Sequence, residues 1–486
     1  MIEKYKLRWV YLVSALFILL TVGLILLQYY YVALLIPLLL IITLMYIYTL
    51  DKLLFLIVFL TPLAINVRDI DFGVGISLPT EPLLFGVLVL FLMRILYKSD
   101  YDHRILRHPV TVIIIINLLW IFLTSLTSQI PLVSFKFFIS RLWFVIPFYF
   151  MGILLFRKIK NIKLFSWVYI IPLLAVIAYT IYNHSKLGFD EEAGHWVMTP
   201  FYNDHTAYGA ILALFIPIFT GFLFDRTSTR TMRLAAAGVL MILIVALILS
   251  FSRAAWISLA ASSLIYVIIL LRIRFRWVLL AMGVFIGIFF MFKWEILDAL
   301  EKNKQDSSAN FIEHVQSISN ISSDASNLER INRWQSAIRM YHEKPLWGWG
   351  PGTYQFLYAP FQRTKEKTII STNFGDMGNA HSEYIGPLAE SGLPGMLIMI
   401  SLVVSFFLTG LRVYRKSESP EVRLLSLITL LALMTYFIHG ILNNFLDTDK
   451  ASIPIWAMIA MLVSLDLYHR NGLQTEEVKE VSPESE

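Results

Sequence analysis

About fourteen stretches of this chain stay apolar for the length an α-helix needs to cross a bilayer, roughly 20 residues at 1.5 Å each. They centre on 9–28, 30–50, 53–66, 82–97, 109–127, 134–155, 163–182, 205–224, 232–251, 254–271, 276–292, 394–411, 422–442 and 453–468. No other feature limits the fold as severely. Backbone in hydrocarbon must satisfy its own hydrogen bonds, so the expectation is an all-α polytopic bundle of about 14 spans. Composition agrees: 57% of the 486 residues are hydrophobic and 15% charged. A soluble enzyme of this length could not hide so much apolar surface, and an average soluble domain carries about a quarter charged residues. Trp9–Leu27 is too long for the apolar core of a signal peptide and lacks a small-residue cleavage site, so it reads as the first span. Cysteine is absent, which excludes disulfides, thiolate metal sites and a cysteine nucleophile.

Positive charge orients the spans. With the N-terminus inside, 24 of the 40 Lys and Arg residues fall in cytoplasmic segments and four (Arg68, Lys186, Arg253 and Lys450) in short external loops. Lys136 and Arg141 lie within the sixth span, and the other ten sit in one long external segment. The expected organisation is therefore a first bundle over 1–292, a large loop over 293–393, three final spans over 394–470, and a tail over 471–486. That tail, with five Glu against one Lys, reads as a disordered acidic end. Both termini are expected in the cytoplasm.

The long loop holds most of the candidate chemistry. Ser326-Asn327-Leu328-Glu329 has the spacing of a capping box, and Leu328, Ile331, Trp334, Ile338 and Tyr341 follow as the stripe of an amphipathic helix. Pro345 ends that helix. Gly348-Trp349-Gly350-Pro351-Gly352 is then a turn that bulky residues could not make. Its glycines suggest a phosphate cradle, but no strand precedes them, which argues against a nucleotide site. Beyond it, Asn379-Ala380-His381-Ser382-Glu383-Tyr384 leads into the next span. His381 is thus placed near the outer membrane surface. There histidine can accept a proton from a hydroxyl, although an ordinary interfacial histidine would occupy the same position.

Two arginines stand out by depth. Arg253 sits at an external turn and Arg141 about 10 Å inside a span, where the charge is costly and needs a partner or a polar cavity. A guanidinium keeps its proton and grips a phosphate with two parallel bonds. Structural pairing with a carboxylate or carbonyls would suit Arg141 equally. Asp69-Ile70-Asp71 and Asp447-Thr448-Asp449 imitate metal-binding Asp pairs but read as solvated turns, and Asp190, Glu191 and Glu192 beside His195 read as a polar loop. His205, at the start of the eighth span, is a candidate to line the cavity of His381, as are Arg333, Glu383 and Tyr384. No Ser-His-Asp arrangement or HExxH motif is present.

Taken in order, Phe251-Ser252-Arg253, Arg330-(x3)-Trp334, Lys344-Pro345-Leu346-Trp347-Gly348-Trp349-Gly350-Pro351-Gly352, His381 and Glu390-Ser391-Gly392-Leu393-Pro394-Gly395 resemble the O-antigen ligase and polymerase superfamily. The Asn203–Gly209 stretch resembles another of its recurring elements, while the usual His-Asn pair is His381-Ser382 here. The resemblance implies a membrane glycosyltransferase of the bacterial cytoplasmic membrane, active at its outer face. It would take a glycan from an undecaprenyl-pyrophosphate carrier and transfer it, with inversion and without metal or other cofactor, to lipid A–core, a glycan or a protein. Carried over, Arg253 and Arg330 would hold the pyrophosphate, with Arg141 added from its depth, and His381 would receive the acceptor's proton. Ligation and polymerisation of lipid-linked repeats both fit, membrane lipid is a partner in either, and nucleic acid is not. A flippase of lipid-linked glycans is the alternative from another class.

Overall fold

A computed structural model of the chain describes residues 40–67, 76–97, 102–274, 325–367, 371 and 378–470, with scattered positions in 11–26 and 276–292. The chain divides into two compact units, residues 1–57 and 58–486. Residues 40–48 of the first unit are helical, and the second carries everything that follows. The expected spans at 9–28 and 276–292 fall largely outside the described residues, the span at 30–50 does so up to residue 39, and 293–324, Asp69-Ile70-Asp71 and the tail do so wholly.

Among the described residues, nine helices are long and apolar enough to cross a membrane, and they coincide with nine of the expected spans. They are α2 (Pro109–Leu126), α3 (Pro131–Leu155), α4 (Ile159–Lys186), α5 (His205–Phe224), α6 (Arg230–Leu249), α7 (Arg253–Leu270), α9 (Ile385–Lys416), α10 (Pro420–His439) and α11 (Asp449–His469). α1 (Thr80–Tyr97) stands where the fourth span is expected, and α8 (Ala325–Glu343) lies outside the set. The expectation at 53–66 is corrected. The helix Leu50–Leu60 has 11 residues and gives way to a 3-10 turn and the strand β1 (Ile65–Val67), which pairs antiparallel with β2 (Ile76–Leu78), Ile65 facing Leu78. The fold is therefore helical with one small hairpin, not purely α.

Local sequence explains the helix ends. Pro109, Pro131 and Pro420 occupy first turns, where the missing N–H costs nothing. Asp204 caps α5 by accepting from the N–H groups of Thr206 and Ala207, both at 2.8 Å. α5, α10 and α11 form the interior, with 72%, 72% and 83% of their apolar windows buried, whereas α6 and α7 bury 28% and lie at the periphery. Small residues allow close approach. Gly221 of α5 has no room for a methyl group beside Ile428 of α10, and Ser262 and Ser426 donate across helices to the carbonyls of Leu431 and Gly410.

Polar contacts mark two ends. At one, Lys163 meets Asp225 and Glu421, Asp466 meets His108, Arg412 and Arg470, and Arg157 meets Asp102 and Tyr468. At the other lie the connections 187–204, 250–252 and 440–448, together with α8 and its following turns. The two ends are joined by α9, which is two helices broken at Gly392 (φ 69°) and Pro394.

The break exists to receive the glycine turn. Trp349 and Gly350 donate to the carbonyls of Ala389 and Glu390, Leu393 donates to Pro345, and the Glu390 carboxylate accepts from the Tyr354 N–H. On its other side the turn docks on the α2–α3 hairpin. Gln129 donates to Trp349, Ser134 to Pro351, Trp120 to Ser391, and Trp120 stacks on Trp347 at 5.2 Å. Gly348 has φ 67°, and a methyl group there would collide with the Glu390 backbone. Gly348→Ala should therefore lower the melting temperature of the nanodisc-embedded protein, by at least the ~1–2 kcal/mol of a forced left-handed residue. Gly238→Ala, with open space around it on α6, should leave it unchanged or raise it by up to ~1 kcal/mol.

Candidate active site

The N–H groups of 348, 349, 350 and 353 all bond within the protein, to the carbonyls of Lys344, Ala389, Glu390 and Gly350. The glycine turn is thus a structural wedge and not a phosphate cradle, in line with the absence of a preceding strand.

What the wedge supports is α8. Its buried face is Glu329, Asn332, Arg333, Ser336, Ala337 and Met340, spaced three and four residues apart. Of the expected apolar stripe, Ile331 is 41% exposed and Trp334, Ile338 and Tyr341 are half-buried, beside that face. Helix is also present at Ala325, one residue ahead of the Ser326 expected as its cap. Glu329, expected in a capping box, places its carboxylate on Arg333 (2.8 Å), Asn332 and Ser371. Ala337 and Met340 pack with Tyr354, Tyr358, Ala380 and Ala389.

Arg333 ties this layer to the catalytic candidate. Its Nε holds Glu329, its Nη1 donates to the Asn379 carbonyl at 3.1 Å, and its guanidinium lies over the Tyr358 ring. Gly378 leaves the space that the guanidinium occupies. Two residues on, the Asn379 side chain accepts from the His381 N–H, and His381 takes φ 47°, a left-handed conformation that a β-carbon disfavours. The backbone is bent so that the ring stands at the mouth of the bundle, partly exposed at its edge.

Burial, then the charges of Arg333 and Arg330, push the His381 imidazole down from its ordinary 6.5 to about 3, while Asp204 and Glu329 pull the other way. The ring is therefore neutral across the physiological range, with a lone pair to offer. His439, at the end of α10, is buried, feels the same Arg330 and Asp204, and meets the Ala254 backbone next to Arg253. Its Nε2 lies 3.1 Å from the Asn443 amide nitrogen, which donates to it. Three expected residues, Arg330, Arg333 and His381, are thus near one another on α8 and the 378–384 segment, with Asp204, His439 and Asn443 beside them. Arg253 is linked to this group through its neighbour Ala254, whose backbone meets His439. Sequence reading missed Asp204, His439 and Asn443. An Asp before an apolar run and a lone His in a span were the available signals, and both have commonplace meanings.

Other candidates have structural partners. Arg141 is buried and donates to the Leu446 carbonyl (3.2 Å) and the Asp447 carboxylate (3.0 Å), the structural pairing left open above. Tyr384 donates to the Phe437 carbonyl at 2.9 Å. His205 stacks on His195 with ring centres 4.2 Å apart, while Asp190 caps the short helix Glu191–Gly194. Asp449 is no solvated turn residue: it is buried and accepts from the Thr80 hydroxyl at 2.6 Å. Among the described residues, no three His, Asp or Glu side chains are grouped as a metal site.

Residues 236–400 match the family described as O-antigen ligase. Over that third of its length the chain is similar to the O-antigen ligase family. The matched stretch begins within α6 and ends within α9, so it contains Arg253, Arg330, Arg333 and His381, whereas Asp204, His439 and Arg141 lie outside it. The match suggests ligase- or polymerase-type activity, and the nine apolar helices among the described residues suit a multi-pass membrane protein. A comparison with curated proteins gave no match.

Within the stretch that resembles the O-antigen ligase family, Glu383 fixes the floor of the site. One carboxylate oxygen accepts from Tyr436 (2.7 Å) and from the N–H groups of Phe445 (2.8 Å) and Leu446 (2.9 Å), and the Glu383 N–H donates to Gly440. Burial and the Asp447 carboxylate push its carboxyl up to about 7, against the pull of Tyr436, Leu446 and Arg141. A folded-state value above the unfolded one means stability present at low pH and lost as pH rises through about 7. The melting temperature should fall between about pH 4.5 and 7 in the parent protein and level off above 7, and stay flatter in Glu383→Gln, which keeps an acceptor oxygen. Glu383→Ala should be less stable at every pH, by about 1–3 kcal/mol per orphaned donor.

Proposed function

We propose that this protein transfers a glycan from an undecaprenyl-pyrophosphate carrier to an acceptor hydroxyl. The observation that carries the reading is the neutral His381 ring set beside Arg330 and Arg333 at one end of a membrane bundle. The family match supplies the class of activity, and the arginines supply the reason for a pyrophosphate.

In the reaction, the acceptor oxygen attacks the anomeric carbon from the side opposite the pyrophosphate. The new C–O bond forms as the bond from the anomeric carbon to the phosphate oxygen breaks, and configuration inverts. The acceptor's proton passes to the free nitrogen of His381, and the electron pair leaves with the pyrophosphate. Arg253 and Arg330 neutralise the charge that develops there, which fixed cations do most effectively where water is scarce. Arg333 holds Glu329 and the Asn379 carbonyl, so its task is to position His381.

Binding the donor also prepares the base. An imidazole held near 3 is a weak proton acceptor. Two phosphate charges beside the same guanidinium groups cancel their effect and return the ring towards its ordinary value. Proton removal is thereby coupled to the presence of a leaving group.

The end rich in Lys and Arg faces the cytoplasm, which puts His381 at the outer surface of the bacterial cytoplasmic membrane, where carrier-linked glycans wait. Ligation and polymerisation differ only in the acceptor presented at this point. His381→Ala should reduce transfer by ~10²–10⁴-fold with protein level and membrane insertion intact, measured with purified protein in nanodiscs. Arg253→Lys should cost at least ~10-fold, because a point charge does not replace the planar fork. Undiminished transfer by His381→Ala would remove His381 as the base, and absence of transfer by the parent protein would favour a flippase.

A further inference from the structure

A partly open cleft lies at the same face of the bundle. It lies between the β1–β2 hairpin, the 201–203 segment and the start of α11. None of Arg253, Arg330, Arg333 and His381 lines it. We infer that this cleft is a saccharide subsite, which holds one neutral sugar ring of the glycan next to the ring that reacts. The inference rests on the transferase reading above.

The lining has the two faces that a pyranose needs. Phe201, Tyr202 and Phe445 supply aromatic surface for the sugar's C–H face, while Asn66, Asn203 and Thr448 supply amide and hydroxyl groups for its rim. The two charged residues in the lining are balanced within the protein. Asp449 accepts from the Thr80 hydroxyl (2.6 Å) and the Lys450 N–H (2.9 Å), and the Lys450 ammonium donates to the carbonyls of Thr61 (3.0 Å) and Ala64 (2.7 Å). A cleft without surplus charge does not suit a pyrophosphate. Neutral hydroxyls suit it well, since each can give and accept a hydrogen bond.

Two connections place the cleft at the reaction centre. Asn203 precedes Asp204, whose charge acts on both His381 and His439. Phe445 lines the cleft, its ring centre is 5.9 Å from that of His439, and its N–H is held by Glu383, two residues from His381. A sugar seated against Phe445 therefore has its neighbour in the chain within reach of the imidazole. The same chemistry could come from the donor glycan or from the acceptor, and kinetics separates them.

Asn66 and Asn203 are exposed, so the double variant Asn66→Ala/Asn203→Ala tests the rim without opening the core. The probe is the repeat-unit oligosaccharide released by mild acid from the carrier of the producing cells. Its equilibrium binding is measured in nanodiscs on His381→Ala protein, with and without the two rim substitutions, alongside melting temperatures to confirm folding. Binding should weaken at least tenfold. In the otherwise unaltered enzyme, KM should rise about tenfold with kcat held within twofold. A rise for the carrier-linked glycan assigns the subsite to the donor, and a rise for the acceptor assigns it to the acceptor. Oligosaccharide affinity and both KM values within twofold of the parent would overturn the subsite and leave the transferase reading standing. Absence of transfer by the parent enzyme would overturn that reading instead, while the binding comparison, which needs no turnover, still decides the subsite.

Discussion

The arrangement at the mouth of the bundle depends on where the Arg333 guanidinium goes. It is buried, paired with Glu329 at 2.8 Å, bonded to the Asn379 carbonyl and fitted into space that Gly378 leaves free. A buried cation with one partner is expensive, and removing that partner is worse. The helix carrying Arg333 and the segment carrying His381 are therefore locked to each other by a group that tolerates no loose geometry. The same charge reaches the imidazole and adds to the burial that keeps it neutral. One side chain thus serves both architecture and electrostatics.

The membrane part supplies rigid supports for that lock. α5, α10 and α11, the most buried spans, end at this face in Asp204, His439 and Asp449. α9 breaks at Gly392 to accept the glycine wedge, and the wedge bears on the α2–α3 hairpin through Gln129, Ser134 and Trp120. Glu383, Arg141 and Tyr384 then clamp the ends of α10 and the 440–448 connection. The polar groups are mostly committed to holding one another. Those that act on a substrate are few, which is the usual economy of a preorganised site.

Much of this was legible beforehand, for identifiable reasons. Apolar length is a strong signal, so nine spans coincide with helices. The order of arginine, glycine turn and histidine pointed to one locus, and Arg330, Arg333 and His381 lie near one another in the fold. The errors share a cause. Sequence periodicity located the apolar stripe of α8 but not its partner, and the partner is a polar segment, so Glu329, Asn332 and Arg333 went inside and Ile331 stayed out. Asp449 was read as a turn residue because nothing local reveals Thr80, 369 positions away, as its hydrogen-bond partner. His439 went unnoticed because a single histidine in a span carries no pattern. Long-range pairing, not local propensity, decided each of these.

The central claim is that burial and the arginine charges together hold His381 neutral, and that an anionic donor offsets the arginines' share. It is tested most directly by ¹⁵N NMR of histidine-labelled protein in nanodiscs, with His381 assigned through His381→Gln and titrated from pH 7.5 to 4. The account predicts a neutral ring over the whole range without donor. When the carrier-pyrophosphate glycan is bound, protonation should begin closer to the ordinary histidine value near 6.5. A ring that titrates near 6.5 in the free protein, with no response to donor, would contradict it.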